Sequence, residues 1–217
     1  MSLIDEFKNS CKSIYGKVTT SKKCPDQYVM YIDLDYDKPI IDILCSNKKP
    51  RKPQYISEIA TQSCGTIALV LESPHTEEFY SNGNPIGPAM GKTGENISKY
   101  LLHILKNKNI KGKYKVILVE AVSFQCSNGE SPINSQKRDK VFQDIWKNGG
   151  EKDFIQRLNT YNPEIVINAC TGGIGKINSG KTLNSLVHNT LKKESYKKYF
   201  YTAHPCSIWF FIIGLKK

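Results

Sequence analysis

Residues 66–71 read TIALVL, an uninterrupted apolar run with the length of a strand that is buried on both faces. Three further runs of this kind follow it: KVILVEAV at 115–122, EIVINAC at 164–170 and KYFYTAHP at 198–205. Segments with helical patterning separate them, near 93–107, 136–147, 151–160 and 181–193. The alternation predicts an α/β fold, a three-layer α/β/α sandwich around a central, mainly parallel four-stranded sheet.

The N-terminal part has a different pattern. Residues 2–14 favour a short amphipathic helix, YVMYIDLDYD at 28–37 alternates like a strand, and KPIIDILC at 38–45 could pair with it. The basic, Pro-interrupted stretch NKKPRKPQ at 47–54 indicates a boundary. We therefore predict an N-terminal extension over residues 1–60 and one globular α/β/α domain over residues 61–217.

The composition is that of an ordinary globular protein with an excess of positive charge. The 217 residues include 39% hydrophobic and 24% charged residues, and the formal net charge is +11. This charge favours a polyanionic partner, which we expect to be DNA, over a lysine-rich composition without functional meaning.

Neither a membrane segment nor a metal site is indicated. The longest apolar runs are too short to cross a bilayer, and no charged-then-apolar leader opens the chain, so we expect a cytoplasmic protein. We also expect a monomer. The seven cysteines form no C-x-x-C pair. We expect buried free thiols, with no metal and no cofactor.

Four short polar segments follow or flank the apolar runs: LESPH at 71–75, GPAMGKTG at 87–94, LVEAVSF at 118–124 and AHP at 203–205. Because parallel strands end at one edge of a sheet, these segments should form the walls of one site there. Open α/β sheets bind their ligands at that edge.

In their order and character, these segments resemble the uracil-DNA glycosylase superfamily over roughly residues 65–215. The resemblance implies an enzyme that flips a base out of DNA and hydrolyses its N-glycosidic bond to leave an abasic site. Such a site must stabilise positive charge on the sugar and negative charge on the departing base, and it must position a water. It must also enclose the flipped base with edge contacts and stacking.

The resemblance implies three catalytic residues. Ser73 lies where many members have the Asp or Asn that positions water, so Glu72 beside it, or one of Glu77 and Glu78, could take that role. Dissociation driven mainly by leaving-group stabilisation is another possibility, as is a solvent-facing, turn-capping Glu72. His204 matches the histidine that stabilises charge on O2 of the base, which it can do by donating a hydrogen bond.

Several positions imply an altered base pocket. His75 lies where uracil-specific members have a tyrosine against C5 of the base. Ala89 lies where the family has a stacking phenylalanine, so the pocket would gain a ring's volume unless Tyr80 or Phe79 supplies the platform. Alternatively, the loop that contains Ala89 packs differently, and the pocket does not gain this volume.

Glu120 bears most directly on base choice, because it falls where uracil-directed members have an asparagine. A carboxylate would repel O4 of uracil but would accept a hydrogen bond from the exocyclic amine of cytosine. If burial raised its pKa, the acid could also donate to N3 of cytosine. We therefore expect a cytosine-type base, with a structural ion pair as the alternative.

Contacts to the DNA backbone are expected at three places. Lys92 and Thr93 open a helix, where phosphate oxygens bind. The turn TGGIGK at 171–176 could clamp a phosphate through backbone amides, and a loop near the C-terminus could fill the space left by the flipped base. In the turn, the expected contacts are Thr171, Gly172 and Lys176. In the loop near the C-terminus, they are Ser207 and Trp209. Trp209 could equally belong to the core of a final helix.

Other functions remain open at this stage. GKINSGKT at 175–182 satisfies the phosphate-loop pattern, but the chain that follows is too short for the remaining parts of a nucleotide-hydrolysing core. Repair of uracil or deaminated bases and a catalytically silent DNA-binding relative are further alternatives. A C5-modified cytosine would suit phage DNA, so phage defence is a hypothesis.

Overall fold

The computed structural model describes residues 1–36, 39–44, 49–129, 135–172 and 182–206. The helices are α1 (Leu3–Tyr15), α2 (Pro53–Ala60), α3 (Lys92–Lys106), α4 (Ser135–Ile145), α5 (Glu151–Thr160) and α6 (Leu183–Leu191). The strands are β1 (Gln27–Asp33), β2 (Pro39–Asp42), β3 (Gly65–Leu71), β4 (Lys113–Glu120), β5 (Ile165–Asn168) and β6 (Lys198–Tyr201). None of the helices in these ranges is long and apolar enough to cross a membrane.

The six strands form one mixed sheet in the order β2-β1-β4-β3-β5-β6. The four predicted strands β3 to β6 are parallel neighbours, but the prediction of a four-stranded sheet is wrong. β1 pairs antiparallel with β4, and β2 pairs antiparallel with β1. The N-terminal hairpin therefore covers an edge of β4 that would otherwise be open, which protects its backbone from pairing with another chain.

Alternate residues of the central strands feed two separate cores. Ile67 and Leu69 of β3 belong to one apolar cluster, whereas Ala68 and Val70 belong to the other. The first cluster includes Leu101 of α3, and the second takes buried side chains from α1, α4, α5 and α6. Helices thus cover both faces of the sheet, which is why its central strands are apolar throughout.

The basic stretch predicted as a boundary contains a buried arginine. Arg51 is 5% exposed and donates hydrogen bonds to the carbonyl oxygens of Ile43 (3.1 Å) and Pro88 (2.8 Å) and to Oε1 of Gln27 (2.8 Å). The helix α2, which the sequence pattern did not predict, begins directly after it, with Pro53 in its first turn. Arg51 therefore connects the N-terminal hairpin to the 87–94 segment.

Candidate active site

The carboxyl edge of the parallel strands brings three of the predicted residues together. Glu120 ends β4 and lies opposite Leu71 in the β3–β4 ladder, Glu72 follows β3 directly, and His204 follows β6. All three line one cavity of about 370 Å³. We call it the acidic cavity, because four glutamates, at 72, 77, 78 and 120, lie in its wall.

Backbone hydrogen bonds beyond the strand ends fix these walls. The N–H of Ala121 donates to the carbonyl of Leu71 (2.9 Å), and that of Val122 donates to the carbonyl of Glu72 (3.0 Å). On the opposite side, Nδ2 of the buried Asn96 in α3 donates to the carbonyl of Pro205 at 2.6 Å. The loop that holds the catalytic histidine candidate is therefore attached to α3.

Glu120 has the most unusual environment in the cavity. Its side chain is 1% exposed, and its Oε2 has no hydrogen-bond partner among the described residues. Burial raises the pKa of Glu120 well above its ordinary value, and the carboxylates of Glu78, Asp26 and Glu72 raise it further, against the opposing charge of Arg157. Both effects favour the protonated, neutral form of Glu120.

Arg157 of α5 holds the backbone of Glu120 in place. Its Nη2 donates to the Glu120 carbonyl at 2.7 Å, while Nη1 makes two 2.7 Å hydrogen bonds with Asp26, and Nε donates to Asp153 at 2.8 Å. The alternative expectation of a structural ion pair at the Glu120 carboxyl group finds no partner among the described residues, since Arg157 binds the carbonyl oxygen of Glu120.

Glu72 is paired with an arginine that the sequence pattern did not indicate. Nε of Arg138 in α4 lies 3.2 Å from Oε1 of Glu72, and the Ser73 hydroxyl donates to the same oxygen at 3.2 Å. Arg138 also donates to Oδ1 of Asp139. Burial raises the pKa of Glu72 to about 7 even though Arg138 opposes the shift. Glu72 does not face open solvent, because it is 5% exposed.

Glu78 joins two of the predicted wall segments. It belongs to a short 3₁₀ turn, Thr76–Glu78, and its carboxylate accepts hydrogen bonds from the N–H groups of His75 (2.9 Å) and Ala89 (2.5 Å). Burial nevertheless raises the pKa of Glu78 to about 7. Since both of its oxygens accept hydrogen bonds from backbone N–H groups, Glu78 is better placed to hold the two segments together than to position a water.

His204 is neutral at neutral pH. Burial and the charge of Arg138 lower its pKa to about 4. Its Nδ1 accepts a hydrogen bond from the N–H of Cys206 at 3.3 Å, and the Cys206 thiol lies 3.0 Å away. With Nδ1 as acceptor, the single ring proton is on Nε2, so His204 can donate one hydrogen bond from that nitrogen.

Helix α3 begins at the rim of the acidic cavity, where Lys92 and Thr93 line the wall. No described side chain caps the N-terminus of α3, and Lys92 forms an exposed ion pair with Glu95 at 3.0 Å. Gly94 is required by close packing, because a Cβ atom there would lie 2.2 Å from the carbonyl oxygen of Ala89.

Two predicted base contacts lie outside the cavity wall. Ala89 is 1% exposed, has a φ of 54° and packs in the apolar cluster beside α3, so it leaves no ring-sized space in the cavity. Tyr80 is 41% exposed and lies in a separate groove together with Phe79. His75 and Thr171 do line the acidic cavity, whereas Gly172 is exposed at its side.

Three predicted DNA contacts, Lys176, Ser207 and Trp209, lie outside the described residues, as does most of the phosphate-loop match. Of that match, Thr182 is described. It caps α6, where its hydroxyl accepts a hydrogen bond from the N–H of Ser185 at 3.3 Å.

The sequence pattern missed Arg138, Ser127 and Cys206, which also line the acidic cavity. Cys206 could have been found, since it lies two residues after His204. Within the described ranges, no group of three or more His, Cys, Asp or Glu side chains is arranged to hold a metal ion. Comparison of the chain with protein-family models, with curated proteins and with solved structures finds no match.

Proposed function

We propose that this protein is a monofunctional DNA glycosylase with a three-layer α/β/α fold like that of uracil-DNA glycosylases, and that it releases a cytosine-type base. The observation that carries the proposal is Glu120, a buried acid at a strand end that lines a cavity and whose Oε2 has no hydrogen-bond partner in the described part of the chain. A buried polar atom without a partner is costly, so a ligand that pairs with it would be bound favourably.

In its protonated form, Glu120 explains a preference for cytosine through proton transfer. A neutral carboxyl group offers one donor and one acceptor, which can pair with either pyrimidine. N3 of cytosine is a basic nitrogen that can take the proton, whereas N3 of uracil already carries one. Protonation at N3 lets the base depart without net negative charge, so the same contact makes cytosine the better leaving group.

The remaining steps use His204 and Glu72. As the bond between C1′ and N1 breaks, its electron pair moves to N1, and Nε2–H of His204 donates to O2, where negative charge also develops. Ionised Glu72 takes a proton from the water whose oxygen bonds to C1′. A pKa of about 7 suits this base, since it is partly ionised at neutral pH and still basic.

The cavity volume supports a substituted base. About 370 Å³ falls in the lower part of the range of small-molecule sites, about 300–1,000 Å³, and can hold a nucleobase with a C5 substituent. The volume of the cavity therefore supports a C5-modified cytosine, such as those of phage DNA, as the substrate. Ala89 gives no such support, because it does not line the cavity. A role in phage defence would follow from that substrate.

A panel of oligonucleotides, each with one defined base, tests the proposal. After incubation, alkali-labile breaks report abasic sites. Wild type should cut at a cytosine derivative, preferably one with a bulky C5 group, and leave uracil largely intact. Glu120→Asn should lose the cytosine derivative and gain uracil, with a change in discrimination of about 1–3 kcal/mol.

Glu58→Gln is the matched control, because Glu58 is exposed on α2 and does not line the acidic cavity. It should cut as wild type does. Efficient release of uracil with no release from any cytosine derivative would identify a repair glycosylase and contradict the role of Glu120. Binding of DNA without breaks at any base would indicate the silent relative.

A further inference from the structure

A second concave surface lies next to the acidic cavity. It has a volume of about 590 Å³, and its two walls are residues 17–22 and 79–83. We call it the basic groove. The two sites share a boundary at two pairs of consecutive residues. His75 and Ser127 line the acidic cavity, whereas the residues that follow them, Thr76 and Asn128, line the basic groove. Consecutive Cα atoms are about 3.8 Å apart, so one ligand can span both.

The charge of the basic groove is opposite to that of the acidic cavity. Lys17 and Lys22 are exposed in its wall, and among its described lining residues there is no Asp or Glu. Nζ of Lys22 donates to Oδ1 of Asn84, which is a neutral acceptor and does not itself offset the charge of the lysine. Thr19, Thr20 and Ser21 place three hydroxyl groups between the lysines.

Tyr80 gives the groove an exposed aromatic ring. Its side chain is 41% exposed, whereas that of the adjacent Phe79 is 8% exposed. The turn that holds Tyr80 is closed by two backbone hydrogen bonds of 2.8 Å, from Tyr80 N–H to the Asn84 carbonyl and from Gly83 N–H to the Tyr80 carbonyl. The exposed ring is therefore held by an ordered turn.

Hydrogen bonds connect the two walls of the basic groove to each other and to Gln125, which also lines the groove. The Thr20 hydroxyl donates to the Gly83 carbonyl at 3.2 Å, which joins the walls. The Thr19 hydroxyl donates to the carbonyl of Gln125 at 2.8 Å. A preformed site loses less conformational entropy when it binds a ligand.

We propose that the basic groove binds the nucleotide adjacent to the one whose base enters the acidic cavity, with its base stacked on Tyr80 and its phosphate between Lys17 and Lys22. Positive charge and an exposed aromatic ring are the features with which proteins bind single-stranded nucleic acid. The choice of flanking nucleotide rests on the proposed function, but binding of a strand by the groove can be tested without any excision.

The probe is a fluorescein-labelled single strand of about 12 thymidine nucleotides, a length within the usual range of such sites. It contains no cytosine. Fluorescence anisotropy should show that Tyr80→Ala weakens binding about tenfold, since stacking on an aromatic side chain is lost. Tyr80→Phe should bind as wild type does. Tyr55→Ala is the matched control, because Tyr55 is similarly exposed (38%) on α2, outside the groove.

The double variant Lys17→Ala/Lys22→Ala tests the phosphate contact. The slope of log affinity against log salt should flatten by about 0.7, the value for one phosphate contact on a single strand. Lys108→Ala/Lys111→Ala removes two exposed lysines beyond the end of α3, near the start of β4, and should leave the slope unchanged.

Unchanged affinity in Tyr80→Ala, or an equal change in the lysine control pair, would overturn the proposal. Failure of the proposed function would give a different result. The protein would still bind the strand, with an affinity that depends on the residues of the basic groove, but it would release no base.

Discussion

The acidic cavity and the basic groove are neighbours, yet they have opposite chemistry. Carboxyl groups at 72, 78 and 120 are buried in the cavity and have raised pKa values, whereas the groove carries exposed lysines and hydroxyl groups. An acidic cavity alone would repel a polyanion, since like charges disfavour approach. The comparison suggests a division of roles, in which the groove binds the strand and the cavity acts on one base.

The division predicts that variants of the cavity change the rate of the chemical step, and variants of the groove change strand binding. The largest effect is expected for His204→Ala. Loss of one donor to a developing negative charge lowers kcat by about 10²–10³. Single-turnover excision and anisotropy together measure this, and strand affinity should remain as in wild type. An equal loss of affinity and rate would contradict the division.

The second prediction concerns stability and pH. The pKa of Glu72 is about 7 in the folded protein against an ordinary value of 4.5, so the folded state keeps a proton that the unfolded state has lost. The free energy of unfolding should therefore decrease as the pH rises from about 4.5 to about 7. A shift of this size corresponds to about 3 kcal/mol.

Urea unfolding at pH 5 and pH 8 measures this effect. Glu72→Gln cannot ionise, so its stability should differ less between the two pH values than that of wild type, by about 2.5 kcal/mol. Lys17→Ala, in the basic groove, should keep the wild-type difference. If Glu72→Gln kept it as well, Glu72 would not be the buried acid responsible.

Much of the fold could be predicted because the strands are apolar on both faces. Helix α5 was predicted with the same limits as in the structure, and the strand ends place Glu72 and Glu120 together by simple topology. The six-stranded sheet could not be predicted in the same way. Nothing in the local pattern of β1 specifies which edge it pairs with, since partner choice depends on long-range contacts.

The composition of the site was harder to predict than its position. Arg138 is on a helix with several basic residues, and their pattern does not show which one faces the cavity. Ala89 was expected to open the pocket, but its positive φ and its core packing turn it away from the cavity wall. The basic groove arises from two segments far apart in sequence, neither of which has a recognisable motif.

Arg138 provides the last and smallest test of the comparison. Its guanidinium group lies 3.2 Å from Glu72 and lowers the pKa of that carboxyl group, although burial raises it more. Ionised Glu72 is the proposed base, so excision should increase with pH through a value of about 7. Removing the positive charge in Arg138→Gln should raise this pKa and move the acid limb of the pH profile to higher pH.

A shift of about one pH unit lowers excision at pH 7 by about fivefold, and the rate should recover at higher pH. The recovery separates an electrostatic effect from a folding defect, which would lower the rate at every pH. Arg138→Lys keeps the charge and should restore most of the wild-type profile. Tyr80→Ala, in the basic groove, should lower strand affinity without moving the limb. A limb that stays in place in Arg138→Gln would show that Glu72 is not the titrating base, and the cavity would then depend on Glu120 and His204 alone.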